Sequence, residues 1–301
     1  MKKVLLFLFI LSSSLIAGDY WNASPGASAM KFLYLKPAPR AAALSGAGIA
    51  KPKSAAELSA NPLATLSAVN PEIGVNQIVF SDKIDAKLFS LYYALPYENI
   101  SFSAALTFLG YDDLEGRNED GFQTGNFGAS AYALQLGAGY KHKMFSYAIS
   151  AKFASETIDD ATAVAFLADG GASVSVNPYL SFGATITNVG YVSPFESGHE
   201  VPPTALETGI TGTIPILSNF ELSLNADLYR RADSETQGLF GAEISYLDIL
   251  MLRAGYSLRD DTDDGVSAGI GIHFNQIKVE YAYTTNNTLD ANHHIHLSLE
   301  F

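Results

Sequence analysis

The sequence predicts an all-β protein: a transmembrane antiparallel β-barrel of about fourteen strands with a small N-terminal plug. Three observations predict it. From Glu72 onward, apolar and polar residues alternate. Phe220, Leu222, Leu224, Ala226 and Leu228 interleave with Glu221, Ser223, Asn225 and Asp227; Ile277, Val279, Tyr281 and Tyr283 interleave with Lys278, Glu280, Ala282 and Thr284. A period of two puts one set on each face of a strand. The runs are also long, nearer the roughly 9–11 residues that cross a bilayer at a tilt than the five or six typical of soluble sheets. Finally, short and long connections alternate, as they do between the periplasmic and outer ends of a barrel. A soluble sandwich would share the alternation; the strand length and the clean separation of apolar from charged positions favour the membrane.

In chain order, residues 1–18 read as a secretory signal. Lys2 and Lys3 form the basic start, Val4 to Leu11 the apolar core, and Ser12 to Gly18 the small-residue exit, with cleavage expected near Ala17 or Gly18. The apolar run falls short of the ~18 residues that a spanning helix needs, so membrane residence has to come from strands.

Residues 19–71 differ from the rest, being rich in Ala, Ser, Gly and Pro. They read as a mostly irregular plug. Ser54-Ala55-Ala56-Glu57 predicts a short helix with a capping box, Ser54 capping and Glu57 reaching back, and Asn61-Pro62 ends it.

The barrel occupies 72–301. Strands are expected near 72–80, 84–95, 99–111, 127–142, 144–156, 162–176, 179–190, 204–216, 219–231, 238–247, 249–259, 265–274, 276–286 and 291–301. Tight connections such as His142-Lys143, Asn177-Pro178 and Asn275-Gln276 alternate with longer ones at 112–126, 191–203, 232–237 and 260–264. The long loops are rich in acids, among them Asp112, Asp113, Asp260, Asp261, Asp263 and Asp264. An acidic outer face suits solubility and divalent-cation bridging to lipopolysaccharide; alternatively these six aspartates form a docking surface for a protein partner. At the C-terminus Ile295, Leu297, Leu299 and Phe301 alternate with polar residues, the form in which a last strand is presented to the barrel assembly machinery.

Two stretches resemble a known family. Pro39-Arg40-Ala-Ala-Ala-Leu44-Ser-Gly46-Ala47 followed by Asn61-Pro62 is similar to the plug region of the PorV/PorQ family, with Arg40, Gly46, Asn61 and Pro62 as its marks. Leu252-Arg253-Ala254-Gly255-Tyr256, Gly265 to Gly271, Val279 to Tyr283 and His296 to Phe301 resemble the end of the same family. The resemblance implies a FadL-like, fourteen-stranded barrel in the outer membrane. It also implies an accessory or shuttle role in type IX protein secretion and surface attachment, with secretion components or secreted cargo as partners. The same lineage includes transporters of hydrophobic small molecules, which is the alternative function. Lys51-Pro52-Lys53-Ser54 is basic where the family usually carries acids.

Other chemistry is sparse. The chain has no cysteine, which removes disulfides, thiol nucleophiles and lipid-anchored cysteine. A formal charge of −13 argues against nucleic acid. His294 and His296 share a strand face and Glu280 lies on the neighbouring strand, a start toward a metal site, but the expected reading is a polar lumenal network of these groups with Lys278 and Glu300. Asp260-Asp-Thr262-Asp-Asp264 begins like a calcium loop and fails at Thr262 and Gly271. With no nucleophile elbow, phosphate loop or zinc-protease helix, neither an enzyme nor a cofactor is expected.

Overall fold

In the computed structural model, Trp21, 23–80, 86–118, 120–195, 200–258, 265–285 and 291–301 are described. The signal segment 1–18, the β1–β2 connection and Asp260, Asp261, Asp263 and Asp264 lie outside the described residues, as do the side chains of Asp112 and Asp113. Fourteen strands follow one another: β1 (Glu72–Val79), β2 (Ala86–Tyr97), β3 (Ile100–Arg117), β4 (Gln123–His142), β5 (Phe145–Ile158), β6 (Ala161–Asn177), β7 (Leu180–Val192), β8 (Ala205–Leu217), β9 (Phe220–Arg231), β10 (Gln237–Tyr246), β11 (Leu250–Leu258), β12 (Gly265–Phe274), β13 (Ile277–Thr284) and β14 (Asn292–Glu300). Each pairs antiparallel with its sequence neighbours, and β1 also pairs with β14, closing the barrel with Glu72 opposite Glu300. The strand count and most ends agree with the alternation.

One stretch differs. The expected 112–126 loop is mostly strand: β3 runs to Arg117 and β4 starts at Gln123, so Asp112 and Asp113 lie within β3. Leu114↔Phe127 and Glu115↔Asn126 continue the pairing past an irregularity after Tyr111. Acids that interrupt the apolar alternation predict a loop, yet above the membrane a strand has no apolar side to keep.

The side chains are distributed in the opposite sense to a soluble protein. Leu224, Leu252, Ile272 and Leu297 are exposed, whereas Ser223, Arg253, Ser298 and His296 are buried. A belt of large apolar side chains around a closed sheet requires a hydrocarbon solvent. No helix among the described residues is long and apolar enough to cross a membrane. The chain is an outer-membrane barrel.

The N-terminal segment accounts for the buried polar face. It threads the lumen as a 3₁₀ turn (Lys31–Tyr34), a short helix α1 (Pro39–Ala43) and two further 3₁₀ turns (Ala55–Ser59 and Pro62–Leu66). Trp21 packs with Leu206 and Ala232 at the end of the barrel where β8 starts and β9 ends. Ser54 does cap its turn, accepting from the Ala56 N–H at 3.2 Å. The expected capping-box return by Glu57 is replaced: its carboxylate accepts from Arg40 instead, because a buried guanidinium is the stronger partner. Asn61 is extended (φ −134, ψ 106), as a residue before Pro should be, and its side chain caps the next turn through the Leu63 N–H.

Close packing of this plug rests on missing side chains in the wall. A Cβ on Gly255 would come within 2.4 Å of the Leu44 carbonyl carbon, one on Gly241 within 2.8 Å of the Leu44 Cβ, and one on Gly269 within 2.6 Å of the Ala43 Cβ. Gly241, Gly255 and Gly269 are thus the seat of the end of α1.

Arg at Leu224 or Leu252 is expected to cost about 2–4 kcal/mol near the midplane. The lumenal control has to be chosen with the plug in view. Ser223, which a water-filled lumen would leave tolerant, is fully buried here, and Ser257 is nearly so, at the edge of a cavity bordered by the plug. Ser175, which lines an open cavity, is the better site. Unfolding in detergent–lipid mixtures should therefore show a large loss for Leu224→Arg and Leu252→Arg and a small one for Ser175→Arg.

Candidate functional site

The centre of the lumen is an ion-pair chain built around Arg40, the first polar residue of α1. Arg40 is 1% exposed. Its Nη1 donates to Glu57 Oε1 at 3.0 Å within the plug, and its Nε donates to Glu243 Oε2 on β10 at 3.1 Å. Glu243 Oε2 also accepts from Arg253 Nε of β11 at 2.8 Å, and Arg253 Nη2 donates to Glu280 Oε1 of β13 at 2.8 Å. His273 Nε2 lies 2.9 Å from the same Glu280 oxygen. Lys53 reaches Glu243 at 3.0 Å and Glu221 at 2.8 Å. Lys53 of the basic 51–54 segment thus answers acids on the wall. Arg40 lies in the plug, outside the spanning strands. Burial opposes its charge, but Glu243 and Glu57 more than offset that and hold the guanidinium protonated beyond the ordinary arginine range.

A second set of contacts fixes the rest of the plug. Asp227 on β9 accepts from the Gly48 and Ile49 N–H groups at 2.6 and 2.9 Å. Lys36 pairs with Glu207 on β8 at 2.7 Å. Gly46 and Gly48, at φ +90 and +110, give the chain the left-handed turns that bring these amides to the wall. Asn76 of β1 donates to the Ala56 carbonyl at 3.0 Å.

Of the plug marks, Arg40 and Gly46 meet the wall directly, while Asn61 and Pro62 act within the plug and bring Pro62 and Leu63 over Gly171. His294 and His296 do not converge with Glu280 as ligands. His296 stacks on Tyr92 with ring centroids 5.8 Å apart, and His294 faces the Pro37 carbonyl at 3.4 Å. Lys278 joins Glu72 at 2.9 Å and Glu300 at 2.5 Å. The lumenal network anticipated from His, Lys278, Glu280 and Glu300 thus has Glu72, Arg253 and His273 as further members. Ile295, Leu297 and Leu299 lie on the lipid face of β14, and Phe301 follows it, its N–H donating to the Pro71 carbonyl at 2.9 Å.

Glu243 and Asp227 join Glu72, Arg253 and His273 as members that the sequence alone did not single out. The available signal was a charge at an inward position of an otherwise apolar strand. A water-filled lumen would tolerate such charges without partners, so their position alone demands none.

A cavity lies on each side of the plug. One, of ≈ 590 Å³, lies toward the long-loop end and is lined by Tyr34, Leu35, Ser45, Leu239, Ser257 and Ser267 among others. The other, of ≈ 750 Å³, lies toward the short turns and is lined by Lys51, Lys53, Ser175, Glu221, Lys278 and Glu300 among others. A third hollow, of ≈ 650 Å³, is on the outer, lipid-facing surface of β8–β11, between Ile210, Leu224, Phe240 and Tyr256 and over the small residues Gly212, Ala242 and Ala254.

No family model and no curated protein matches the chain. Solved structures do match. The toluene transporter TodX of P. putida has a TM-score of 0.62 at 12% identity, over 88% of this chain and 98% of that one. CymD, a monoaromatic hydrocarbon channel, has a TM-score of 0.63 at 12% identity, over 88% and 97%. A Pseudomonas aeruginosa FadL homologue has a TM-score of 0.53 at 10% identity, over 87% and 97%. The fold is FadL-like. At these identities the likeness speaks for architecture and carries no ligand with it.

Removing one partner from a buried ion pair is expected to cost about 3–5 kcal/mol. Arg40→Ala should therefore loosen the plug while leaving the strand ladder closed. Limited proteolysis of the purified barrel should cut within 36–66 in the variant and not in the parent, and single-channel conductance should rise. Arg40→Lys should fall between the two.

Proposed function

We propose that the chain conducts small hydrophobic molecules from the outer cavity through the barrel wall into the membrane. One observation carries this reading: the outer cavity and the lipid-facing hollow lie back to back. Leu239 and Ser257 line the first; their sequence neighbours Phe240 and Tyr256 line the second. Between them is the paired glycine step Gly241↔Gly255, where neither face of the wall has a side chain of that residue. On the inside this thin patch is covered by Leu44 and Ser45 of the plug. The β10–β11 ladder is continuous from Gly238↔Leu258 to Tyr246↔Leu250, so passage requires the end of α1 to withdraw and the wall to part locally. A hydrophobic solute gains by moving from the half-apolar outer cavity to an apolar hollow and then to lipid. The hydrocarbon channels among the structural neighbours agree with the reading.

A docking role in type IX secretion, which the motif resemblance implies, has a different feature in its favour: the β3–β4 ribbon above the rim, with its acids. It requires no route through the wall.

Uptake of radiolabelled toluene by a strain expressing the protein tests the proposal. Ala242→Trp and Ala254→Trp, which fill the hollow from the lipid side, should lower uptake at least fivefold while the barrel keeps its heat-modifiable mobility. Leu44→Ala, which uncovers the glycine step, should raise it. Unchanged uptake in all three, together with loss of surface-anchored proteins in a deletion strain, would transfer the function to secretion.

A further inference from the structure

β3 and β4 are the longest strands, of 18 and 20 residues, and they outrun their neighbours. β4 begins its ladder with β5 only at Ala129↔Ile158, and the last contact on that side is the Asp159 N–H to the Gly128 carbonyl at 3.0 Å. From Gln123 to Gly128, β4 pairs with β3 on one edge, and among the described residues no strand pairs with the other edge. Six residues of strand make an edge about 20 Å long.

This ribbon keeps its strand form without a neighbour. The Asn118 side chain accepts from the Asp120 and Phe122 N–H groups at 3.1 and 2.8 Å, and Arg117 clasps the Gly121 carbonyl at 3.0 Å and Glu115 at 2.6 Å. Proteins blunt open edges with Lys, Pro or bulges. Gln123-Thr-Gly-Asn-Phe-Gly128 has no Lys or Pro; the pairing shifts once, between Gly116↔Gly125 and Arg117↔Gln123, where Gly125 has a φ of +137.

We infer that the free edge of β4 above the rim is a strand-addition site for an extended, basic segment of a second protein. Backbone hydrogen bonds to Gln123–Phe127, beyond the Gly128 carbonyl that Asp159 occupies, supply the affinity. Charge selects the occupant: Asp120 stands at the tip, and Asp159 and Asp160 stand beside Gly128 at the base, so a segment carrying Lys or Arg is drawn in and an acidic one is repelled. Phe122, 71% exposed at the tip, offers it an apolar contact. The inference is independent of the transport reading.

The test uses the full-length barrel in nanodiscs and a fluorescent eight-residue peptide alternating lysine and valine. Binding should be at least tenfold tighter than for the same peptide with its valines replaced by proline, which keeps the charge and cannot complete a ladder. It should vanish when 113–127 is replaced by an Asn-Gly turn, with the barrel's heat-modifiable mobility retained. Asp159→Asn with Asp160→Asn should weaken it several-fold and flatten its salt dependence. Equal binding of the two peptides, no binding of either, or binding that survives loss of the ribbon would overturn the inference. So would efficient disulfide pairing of two Asn126→Cys copies in membranes, which would make a second copy the occupant.

Discussion

Hydrocarbon offers no hydrogen bonds, so every backbone N–H and C=O at membrane depth must find its partner within the protein. The closure of β1 on β14 meets that demand, and much else follows from it. A closed sheet has an inside and an outside, and the alternation of each strand delivers apolar side chains to lipid and polar ones to the lumen. What is unusual is that this lumen is not wet throughout. Ser223, Asn225, Glu243, Arg253, Glu280 and His296 are as buried as the core of a soluble protein.

A buried charge is tolerable only with a partner. Glu243 and Arg253 face one another across adjacent strands, which would suffice for each as a pair. Arg40 converts that pair into a link between wall and plug, because Glu243 accepts from both guanidiniums. The plug is thus held by directional charge contacts where it crosses the middle of the barrel and by glycine-seated packing at Gly241, Gly255 and Gly269. The two modes have different consequences. Packing against glycine fixes the distance of α1 from the wall and leaves the wall thin at that place; ion pairs fix its register along the barrel axis. Any solute passing near Gly241 and Gly255 has to disturb the first while the second keeps the plug from leaving.

The barrel is also asymmetric in height. The strands from β3 to β6 are long, and those from β10 to β14 run 8 to 10 residues. The tall side carries the free β4 edge and the thin side carries the glycine step, so a surface interaction and a wall passage would occupy different parts of the molecule and could evolve separately. The acids fit this division. Asp112 and Asp113, which read as loop residues, belong to the tall ribbon.

The sequence by itself determined the barrel: strand number, order, register of faces and the lipid-facing set are local consequences of a period of two, and β14 with Ile295, Leu297 and Leu299 outward follows directly. It also marked the plug by composition and the importance of Arg40 by resemblance. It could not say what Arg40 meets, because Glu57 is 17 residues away and Glu243 is 203. Nor could it assign Glu57, whose local capping pattern was overridden by a partner from elsewhere. Tertiary structure decided which inward polar residues are solvated and which are sealed under the plug, and which glycines are empty space for another backbone. Alternation is a property of a single strand, whereas the filling of a lumen is a property of two segments meeting, and no periodicity encodes it.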